Sequence, residues 1–486
     1  MKRFQKPYTL LLLALVLPVL LYPAKRLTIV HINDTHGQIE PIKAKDGREY
    51  GGFARVAYVV DSLRNEAEEN NNPLLFLHAG DALQGPPISN MSKGKLDFEL
   101  LNRMDLDAMV AGNHEFDFGQ DNLESLESEA EFELLSANVL DEAGNFLFER
   151  YIESKAGRNS VLLVGLTTPA TPSGTHPENV KGLVFTSPDT AMADNIQLLE
   201  YGEEDLIIAL THQGVYYDSL LALKVPEIDL IVGGHSHTVL EQPREINNAL
   251  VVQAGASTLY VGKFDAKVKR GEITDWEYEL ILLADSIPED TGIAKRIAAE
   301  SKLVDEKIAQ PLGKTEVSLV PGFCDKRDEL SLGNLLARLI KEETGADFAF
   351  TNAGGVRASI HPGDVSLKNI LTALPFNNTI VTMELTAEQV RQVLSTDIAH
   401  GPHSGGTLHL AGITYETEND SVVNINIEGN LLDESRTYRI ATNNFLAAGG
   451  DGYEVLKQGC DFCDTGTAVN AVLASYVERK GTITGR

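Results

Sequence analysis

The sequence has few cysteines, a deficit of basic residues and no long apolar run after its N-terminal segment. Three of its 486 residues are cysteine, and 41 Lys and Arg residues stand against 70 Asp and Glu residues, a formal net charge of −29. Nucleic-acid-binding proteins contact phosphates with clustered basic residues, so nucleic acid is not expected as a partner. No internal repeat or low-complexity tract is visible. The length and the 43% hydrophobic content are sufficient for two domains with separate cores.

The N-terminal segment predicts export. Three basic residues within the first six positions precede an apolar run at positions 8–22. This run is shorter than the about 20 residues of a transmembrane helix, and Pro18 interrupts it. We therefore expect residues 1–24 to be a signal peptide and the protein to be periplasmic or extracellular. Because positions 22–24 match a small-x-small cleavage site poorly, a retained N-terminal membrane anchor is the alternative.

The three cysteines leave one thiol unpaired if a disulfide forms. Cys460 and Cys463 form a C-x-x-C pattern, which occurs in small-loop disulfides, metal sites and redox sites, and Cys324 stands apart. A zinc site lacks further ligands nearby, and no thioredoxin-like pattern surrounds the pair. We expect a disulfide between Cys460 and Cys463, with free thiols as the alternative.

Five separated fragments carry the residue types of a metal centre. Each follows a short apolar run, at positions 27–32, 74–78, 108–110, 206–210 and 228–232, and such runs are typical of buried strands. Side chains at the carboxyl ends of neighbouring strands can meet at one edge of a sheet. We therefore expect one site. The fragments are Asp34-Thr35-His36, Gly80-Asp81, Gly112-Asn113-His114-Glu115, Thr211-His212 and Gly234-His235-Ser236-His237.

These fragments supply enough ligands for two divalent cations. Two ions about 3.5 to 4 Å apart need a bridging carboxylate, and Asp81 can bridge them. Asp34, His36 and His237 would complete one site, and Asn113, His212 and His235 the other. Imidazole, carboxylate and amide ligands suit Zn, Mn or Fe, whereas Mg or Ca would favour oxygen alone. A single Asp-x-His fragment is more often a capped turn, so the prediction depends on all five occurring together.

The fragments resemble the signature of the calcineurin-like metallophosphoesterases. Three C-terminal motifs, at positions 352–357, 374–377 and 444–453, resemble the substrate-binding domain of the two-domain 5'-nucleotidases. The resemblance runs from about Leu27 to the C-terminus. It implies an α/β protein with a four-layer α/β/β/α metallophosphoesterase domain and a smaller α+β nucleotide-binding domain.

The expected boundaries follow from this resemblance and from one helical segment. The metallophosphoesterase domain is expected at residues 25–290, and the C-terminal domain at 313–486. Residues 291–312 are expected to form a connecting helix, whose apolar stripe would contain Ile293, Ile297, Leu303 and Ile308.

The resemblance also implies the chemistry of the first domain. A hydroxide bridging the metals would attack phosphorus directly, without a phospho-enzyme intermediate. His114 would stabilise the transition state or protonate the leaving group. Asp117 would orient it, since a carboxylate on one ring nitrogen fixes the tautomer and favours the charged imidazolium. The alternative for Asp117 is a helix-terminal carboxylate without a catalytic role.

In the second domain, the resemblance implies a nucleoside site. Phe376 and Phe445 would stack on the two faces of the base, and Asp451 would accept hydrogen bonds from the ribose hydroxyls. Asn352 and Arg357 would contact the phosphate, ribose or base, with Arg357 as the anion partner. Without their motif context, both phenylalanines would be read as core residues.

Two positions depart from the family pattern. Arg327 lies near the place of a further substrate-binding arginine, one residue early before the Leu332-Gly333-Asn334 segment. His237 occupies a position where some close relatives carry glutamine, and histidine is the usual ligand in the wider superfamily.

The sequence therefore predicts an exported hydrolase that uses two metals to convert nucleoside 5'-monophosphates into nucleoside and phosphate. Nucleoside diphosphates, UDP-sugars and 2',3'-cyclic nucleotides are alternative substrates of the same site. A non-catalytic nucleotide-binding surface protein is an alternative of another class. A thiosulfate-ester hydrolase on this scaffold would leave Phe376 and Phe445 without a role. Substrate would bridge the two domains, which the family closes by rotation. The expected partners are a nucleotide and, only through an uncleaved N-terminus, a membrane; monomer and homodimer both stay open.

Overall fold

The computed structural model describes residues 25–44, 47–156, 159–199, 205–269, 271–322, 329–402, 404–419 and 421–485. The helices are α1 Phe53–Glu69, α2 Pro87–Asn90, α3 Lys95–Arg103, α4 Gln120–Glu129, α5 Thr171–Gly174, α6 Pro188–Leu198, α7 Val215–Lys224, α8 Thr291–Ile308, α9 Leu332–Thr344, α10 Leu367–Ala373, α11 Ala387–His400, α12 Asn444–Ala447 and α13 Val469–Lys480. The strands are β1 Lys25–Ile32, β2 Ile42–Lys43, β3 Glu49–Tyr50, β4 Leu74–His78, β5 Ala108–Val110, β6 Glu133–Leu135, β7 Val139–Asp141, β8 Tyr151–Ala156, β9 Asn159–Thr167, β10 Leu183–Phe185, β11 Leu206–His212, β12 Leu230–Gly233, β13 Arg244–Ile246, β14 Ala249–Val252, β15 Tyr260–Lys269, β16 Glu272–Leu282, β17 Pro311–Thr315, β18 Ser318–Val320, β19 Glu329–Ser331, β20 Phe348–Asn352, β21 Gly363–Ser366, β22 Thr379–Thr386, β23 Leu408–Ala411, β24 Ile413–Glu418, β25 Ser421–Ile427, β26 Asn430–Leu431, β27 Thr437–Asn443, β28 Cys460–Ala468 and β29 Thr482–Ile483.

The N-terminal part is built on two six-stranded sheets that pack face to face. Their strand orders are β16-β15-β1-β4-β5-β6 and β13-β14-β12-β11-β9-β8. Along β11, Ile208 packs between the sheets while Ile207 packs outward with α6 and α7. The helices α1, α3 and α4 cover the outer face of the first sheet. This arrangement confirms the predicted α/β/β/α layers, because the central strands β4, β5, β11 and β12 bury residues on both of their faces.

The strands that precede the five ligand fragments end at the same edge of the two sheets. β1, β4 and β5 are parallel neighbours, and so are β11 and β12. β4 and β5 have the predicted bounds, whereas β11 extends through His212 because Thr211 and His212 still pair with β9. The ligand fragments are therefore brought together by strand register.

Helix α8 packs on the N-terminal part of the molecule and leads to β17. Its first turn is capped by Asp290, whose carboxylate accepts a hydrogen bond from the Ile293 amide at 2.7 Å. The expected stripe is wrong at one position: Leu303 is 53% exposed, and Val304 is buried instead. Residue 304 lies eleven positions after Ile293, which is close to three helical turns, whereas residue 303 falls short of that face.

The C-terminal part contains a five-stranded sheet of order β23-β20-β27-β22-β28. Helices α9, α10 and α13 pack on one face, and α11 and α12 pack on the other. Helix α9 begins at a capping serine, Ser331, and ends at Gly345, whose φ of 64° lies in the left-handed region. The strands of this sheet are antiparallel except for the pair β20 and β27, which confirms the predicted α+β class.

The expected disulfide is wrong. Cys460 and Cys463 are both free and exposed on β28. They pair with Glu384 and Thr382 of β22 on either side of a β-bulge, and no disulfide joins them. Cys324 lies outside the described residues, as does the N-terminal segment before residue 25. Within the described ranges, no helix is both long and apolar enough to cross a bilayer.

Candidate active site

Most of the expected metal ligands have a positive φ angle, a backbone conformation that residues other than glycine rarely adopt. Turns this sharp let successive residues of one loop point to a common centre, and non-glycine residues in this conformation are concentrated at functional sites. The residues, with their φ angles, are Asp34 at 49°, His36 at 46°, Asp81 at 56°, His235 at 77° and His237 at 52°.

The structure gathers Asp34, His36 and His237 into one cluster, with ligand atoms within 4.8 Å of one another. The Nε2 atoms of His36 and His237 are 2.9 Å apart. His237 Nε2 is 3.4 Å from Asp34 Oδ1. Asp34 is fully buried, and its carboxylate also accepts hydrogen bonds at 3.0 Å from the backbone amide of His235. Three potential ligands therefore converge from two loops.

A second cluster joins Asp81, His212 and His235 within the same limit. His212 Nε2 is 3.1 Å from Asp81 Oδ2 and 3.3 Å from His235 Nδ1. His212 Nδ1 lies 2.8 Å from the carbonyl oxygen of Ala79, so Nδ1–H donates a hydrogen bond to this oxygen. This bond fixes the tautomer that leaves the Nε2 lone pair facing the cluster.

The donor set fits divalent metal ions. The side-chain oxygen of Asn113 is buried and has no hydrogen-bond partner among the described residues, so it is available as a ligand. Although burial opposes the charged form, the charge of Asp81 raises the pKa of His212. In the metal-free chain the pair is therefore ionised, and the Nε2 lone pair becomes available to a metal once the Nε2 proton is released. Imidazole nitrogens, carboxylates and one amide oxygen are the ligands of Zn, Mn and Fe sites.

His114 and Asp117 form a hydrogen-bonded pair beside the two clusters. His114 Nδ1 lies 2.5 Å from Asp117 Oδ2, and Thr175 donates a hydrogen bond to the other oxygen of Asp117 at 2.5 Å. The backbone amide of His114 donates to Asp81 at 2.9 Å. Burial opposes protonation, but the charges of Asp117 and Asp81 raise the pKa of His114. The arrangement holds a proton on the imidazole.

Two buried residues that were not predicted to be functional support the ligand loops. Glu115 accepts hydrogen bonds from the backbone amides of Asp81, Ala82, Leu83 and Gly112, at 2.6 to 3.3 Å. Gln253 donates to the carbonyl oxygen of Gly234 at 2.9 Å and accepts from Ser236 at 3.0 Å. Glu115 stands inside one of the five fragments and could have been noticed there. Gln253 has no sequence signal, because its partners precede it by up to 19 positions.

The metal-type clusters open into a cavity of about 880 Å³ that both parts of the molecule line. Arg357 from the C-terminal part reaches within 3.2 Å of His36 Nε2. Phe376 lies over His114 with their ring centres 6.0 Å apart, and Phe445 lines the same cavity. Burial lowers the pKa of Arg357.

Two further expected substrate residues belong to the wall of the same cavity. Asn352 donates a hydrogen bond to Asp451 Oδ2 at 2.8 Å, and both line the cavity. Arg327 lies outside the described residues. Two further segments of the wall were not predicted: His400 with residues 404–406, and much of residues 168–179.

Comparisons with known proteins find similarity along almost the whole chain. Residues 27–239 match the family model of the calcineurin-like phosphoesterases, and residues 311–458 match that of the 5'-nucleotidase C-terminal domain. A 5'-nucleotidase of Vibrio parahaemolyticus is 31% identical, over 94% of this chain and 90% of its own.

Two solved structures are similar over a comparable length. The crystal structure of a 5'-nucleotidase precursor from Thermus thermophilus has a TM-score of 0.84 and 31% identity, covering 95% of this chain and 98% of its own. The sulfate thiohydrolase SoxB of the same organism has a TM-score of 0.80 and 20% identity, covering 96% of both chains. At that identity, the likeness shows the fold alone.

Proposed function

The chain belongs to the family of two-domain 5'-nucleotidases, hydrolases with a calcineurin-like phosphoesterase domain, and we propose that it releases phosphate from nucleoside 5'-monophosphates. One observation carries this proposal: residues suited to metals and residues suited to a nucleoside line one cavity. Arg357 and His36 come from different domains and lie 3.2 Å apart. A nucleotide in this cavity would have its phosphate near both groups.

Two divalent ions would occupy the clustered ligands, and Asp81 would be shared between them. Such ions supply a nucleophile from water near neutral pH and neutralise charge on the phosphoryl oxygens. We propose Zn, Mn or Fe as the metal, since nitrogen ligands dominate the site. Asp34, His36 and His237 would hold one ion, and Asn113, His212 and His235 the other.

The side chains of the protein provide the remaining chemistry. His114 holds a proton on the ring nitrogen that does not face Asp117, and this proton can go to the leaving ribose oxygen. Arg357 adds positive charge where the phosphate would lie. Phe376 and Phe445 would stack on the base, each contact contributing about 1 to 3 kcal/mol of binding free energy. Asp451 and Asn352 are placed to recognise the sugar.

We also propose that the protein is exported, because basic residues followed by a short apolar run are typical of a signal peptide. We further propose that the domain boundaries lie at residues 290 and 313. The position of α8 supports these boundaries, since this helix separates the regions that the two family models match.

The test is hydrolysis of AMP, ADP, UDP-glucose, 2',3'-cyclic AMP and phenyl phosphate, with Mn²⁺ or with a chelator, followed by chromatography of the products, because UDP-glucose and the cyclic nucleotide can be cleaved without release of free phosphate. We expect AMP to be turned over faster than phenyl phosphate, and the chelator to abolish both reactions. Replacing Phe376 with alanine should lower kcat/KM for AMP roughly 5- to 100-fold and affect phenyl phosphate much less. Preference for another member of the panel would replace the proposed substrate. Absence of turnover with any metal would favour a nucleotide-binding protein.

A further inference from the structure

The carboxylate proposed to bind ribose is part of an unusual backbone turn. Asp451 has a φ of 51° and a ψ of 25°, in the left-handed region. Glycines stand at positions 449, 450 and 452, so the neighbouring backbone has little intrinsic stiffness. A carboxylate on such a segment can keep one orientation only if side chains outside the segment hold it in place.

Two side chains hold Asp451 in this turn. Asn352 donates a hydrogen bond to its carboxylate at 2.8 Å. His400, the last residue of α11, lies with Nε2 2.8 Å from the carbonyl oxygen of Asp451, so Nε2 is the donor of this bond. The first contact orients the side chain, and the second fixes the backbone that carries it.

The imidazole of His400 is itself held in place. Its ring centre is 5.6 Å from that of Tyr453, whose hydroxyl donates a hydrogen bond to the carbonyl oxygen of Gly406 at 2.8 Å. Gly406 lies directly against the ring, because a Cβ atom at this position would come within 2.6 Å of it. His400 and Asp451 both line the cavity. The donor is therefore held in place, and it lies beside the carboxylate that is proposed to bind the sugar.

We propose that His400 is a positioning residue for ribose recognition, which holds the Asp451 backbone so that its carboxylate faces the sugar hydroxyls. This inference rests on the proposed function. It assigns to His400 a part in selecting ribonucleotides over nucleotides without 2'- and 3'-hydroxyls. A residue with only a structural role would affect both kinds of substrate alike.

The experiment measures kcat/KM for AMP and for 2',3'-dideoxy-AMP with the Mn²⁺-loaded enzyme. For His400→Leu, which removes the donor at similar volume, we expect the AMP/dideoxy-AMP ratio to fall about 3- to 10-fold, mainly through KM for AMP. His400→Gln keeps an N–H donor at a similar reach and should restore most of the ratio. His361→Leu, an exposed histidine of the same domain, is the control and should keep the wild-type ratio.

Several results would overturn the inference. An equal loss for both substrates, or an unchanged ratio in His400→Leu, would show that His400 does not act through the sugar. If His400→Leu does not fold, His400→Asn serves in its place, because its amide is too short to reach and the same fall is expected. Wild-type enzyme that does not distinguish the substrates would refute the ribose role of Asp451, and with it this inference. Absence of AMP turnover would instead refute the proposed function.

Discussion

Replacing Glu115 with glutamine tests whether the loop that carries Asp81 depends on a buried carboxylate. One oxygen of Glu115 accepts from the amides of Ala82 and Leu83, and the other accepts from those of Asp81 and Gly112. Glutamine keeps the shape but retains a single acceptor oxygen. Its NH₂ group would then face two backbone donors, whichever way the amide is turned.

The expected cost follows from these two donors. An unsatisfied buried donor costs about 1 to 3 kcal/mol, so the variant should lose about 2 to 6 kcal/mol of unfolding free energy. In a domain of this size, the loss corresponds to a melting temperature lower by roughly 4 to 24 °C. Because Asp81 lies in the displaced loop, metal content should also fall.

The assay is thermal unfolding followed by circular dichroism, with metal content measured on the same samples. Glu124→Gln, an exposed position on α4, is the matched control and should melt with the wild type. If Glu115→Gln melts within about 1 °C of the wild type and keeps its full metal content, the four hydrogen bonds do not support the loop.

Three other changes give distinct outcomes. His114→Ala should retain its metal but lose about 10²- to 10⁴-fold in kcat, because it removes the group that holds the proton; an empty site by metal analysis would contradict this. Lys368 of α10 contacts Asp305 of α8 at 2.8 Å and so helps to hold the helix whose end carries the Arg357 hydrogen bond. Lys368→Met should therefore raise KM for AMP about 2- to 5-fold in initial-rate assays, whereas Lys224→Met, which breaks an ion pair with Asp189, should not. Burial raises the pKa of Asp229 to about 7 from 3.8, so its protonated form stabilises the fold and this stability is lost as pH rises from about 4 to 7. Asp229→Asn should reduce that decline by at least about 1 kcal/mol in urea unfolding, and an unchanged decline would exclude Asp229 as its source.

Much of the fold was predictable because its signals are local. β4 and β5 are short apolar runs that end where the sequence indicates, and the ligand residues follow them directly. The wrong prediction for Leu303 in α8 has a local cause as well, because this residue is apolar but does not lie on the buried face of the helix. Hydrophobicity alone did not separate it from Val304, whereas strict helical periodicity would have done so.

The placement of the nucleoside residues was not predictable, because it depends on contacts between distant segments. The backbone amide of Arg357 donates to the carbonyl oxygen of Ala373 at 2.8 Å, at the end of α10, and Phe376 follows three residues later. Leu367 and Leu371 of this helix pack against the N-terminal core. One short helix thus ties two substrate groups to the domain that holds the metal ligands. The sequence does not indicate this packing between the two parts of the molecule, since the apolar residues of α10 resemble those of any buried helix. The motifs predict which side chains meet a nucleotide, and the packing of α10 determines where they meet it.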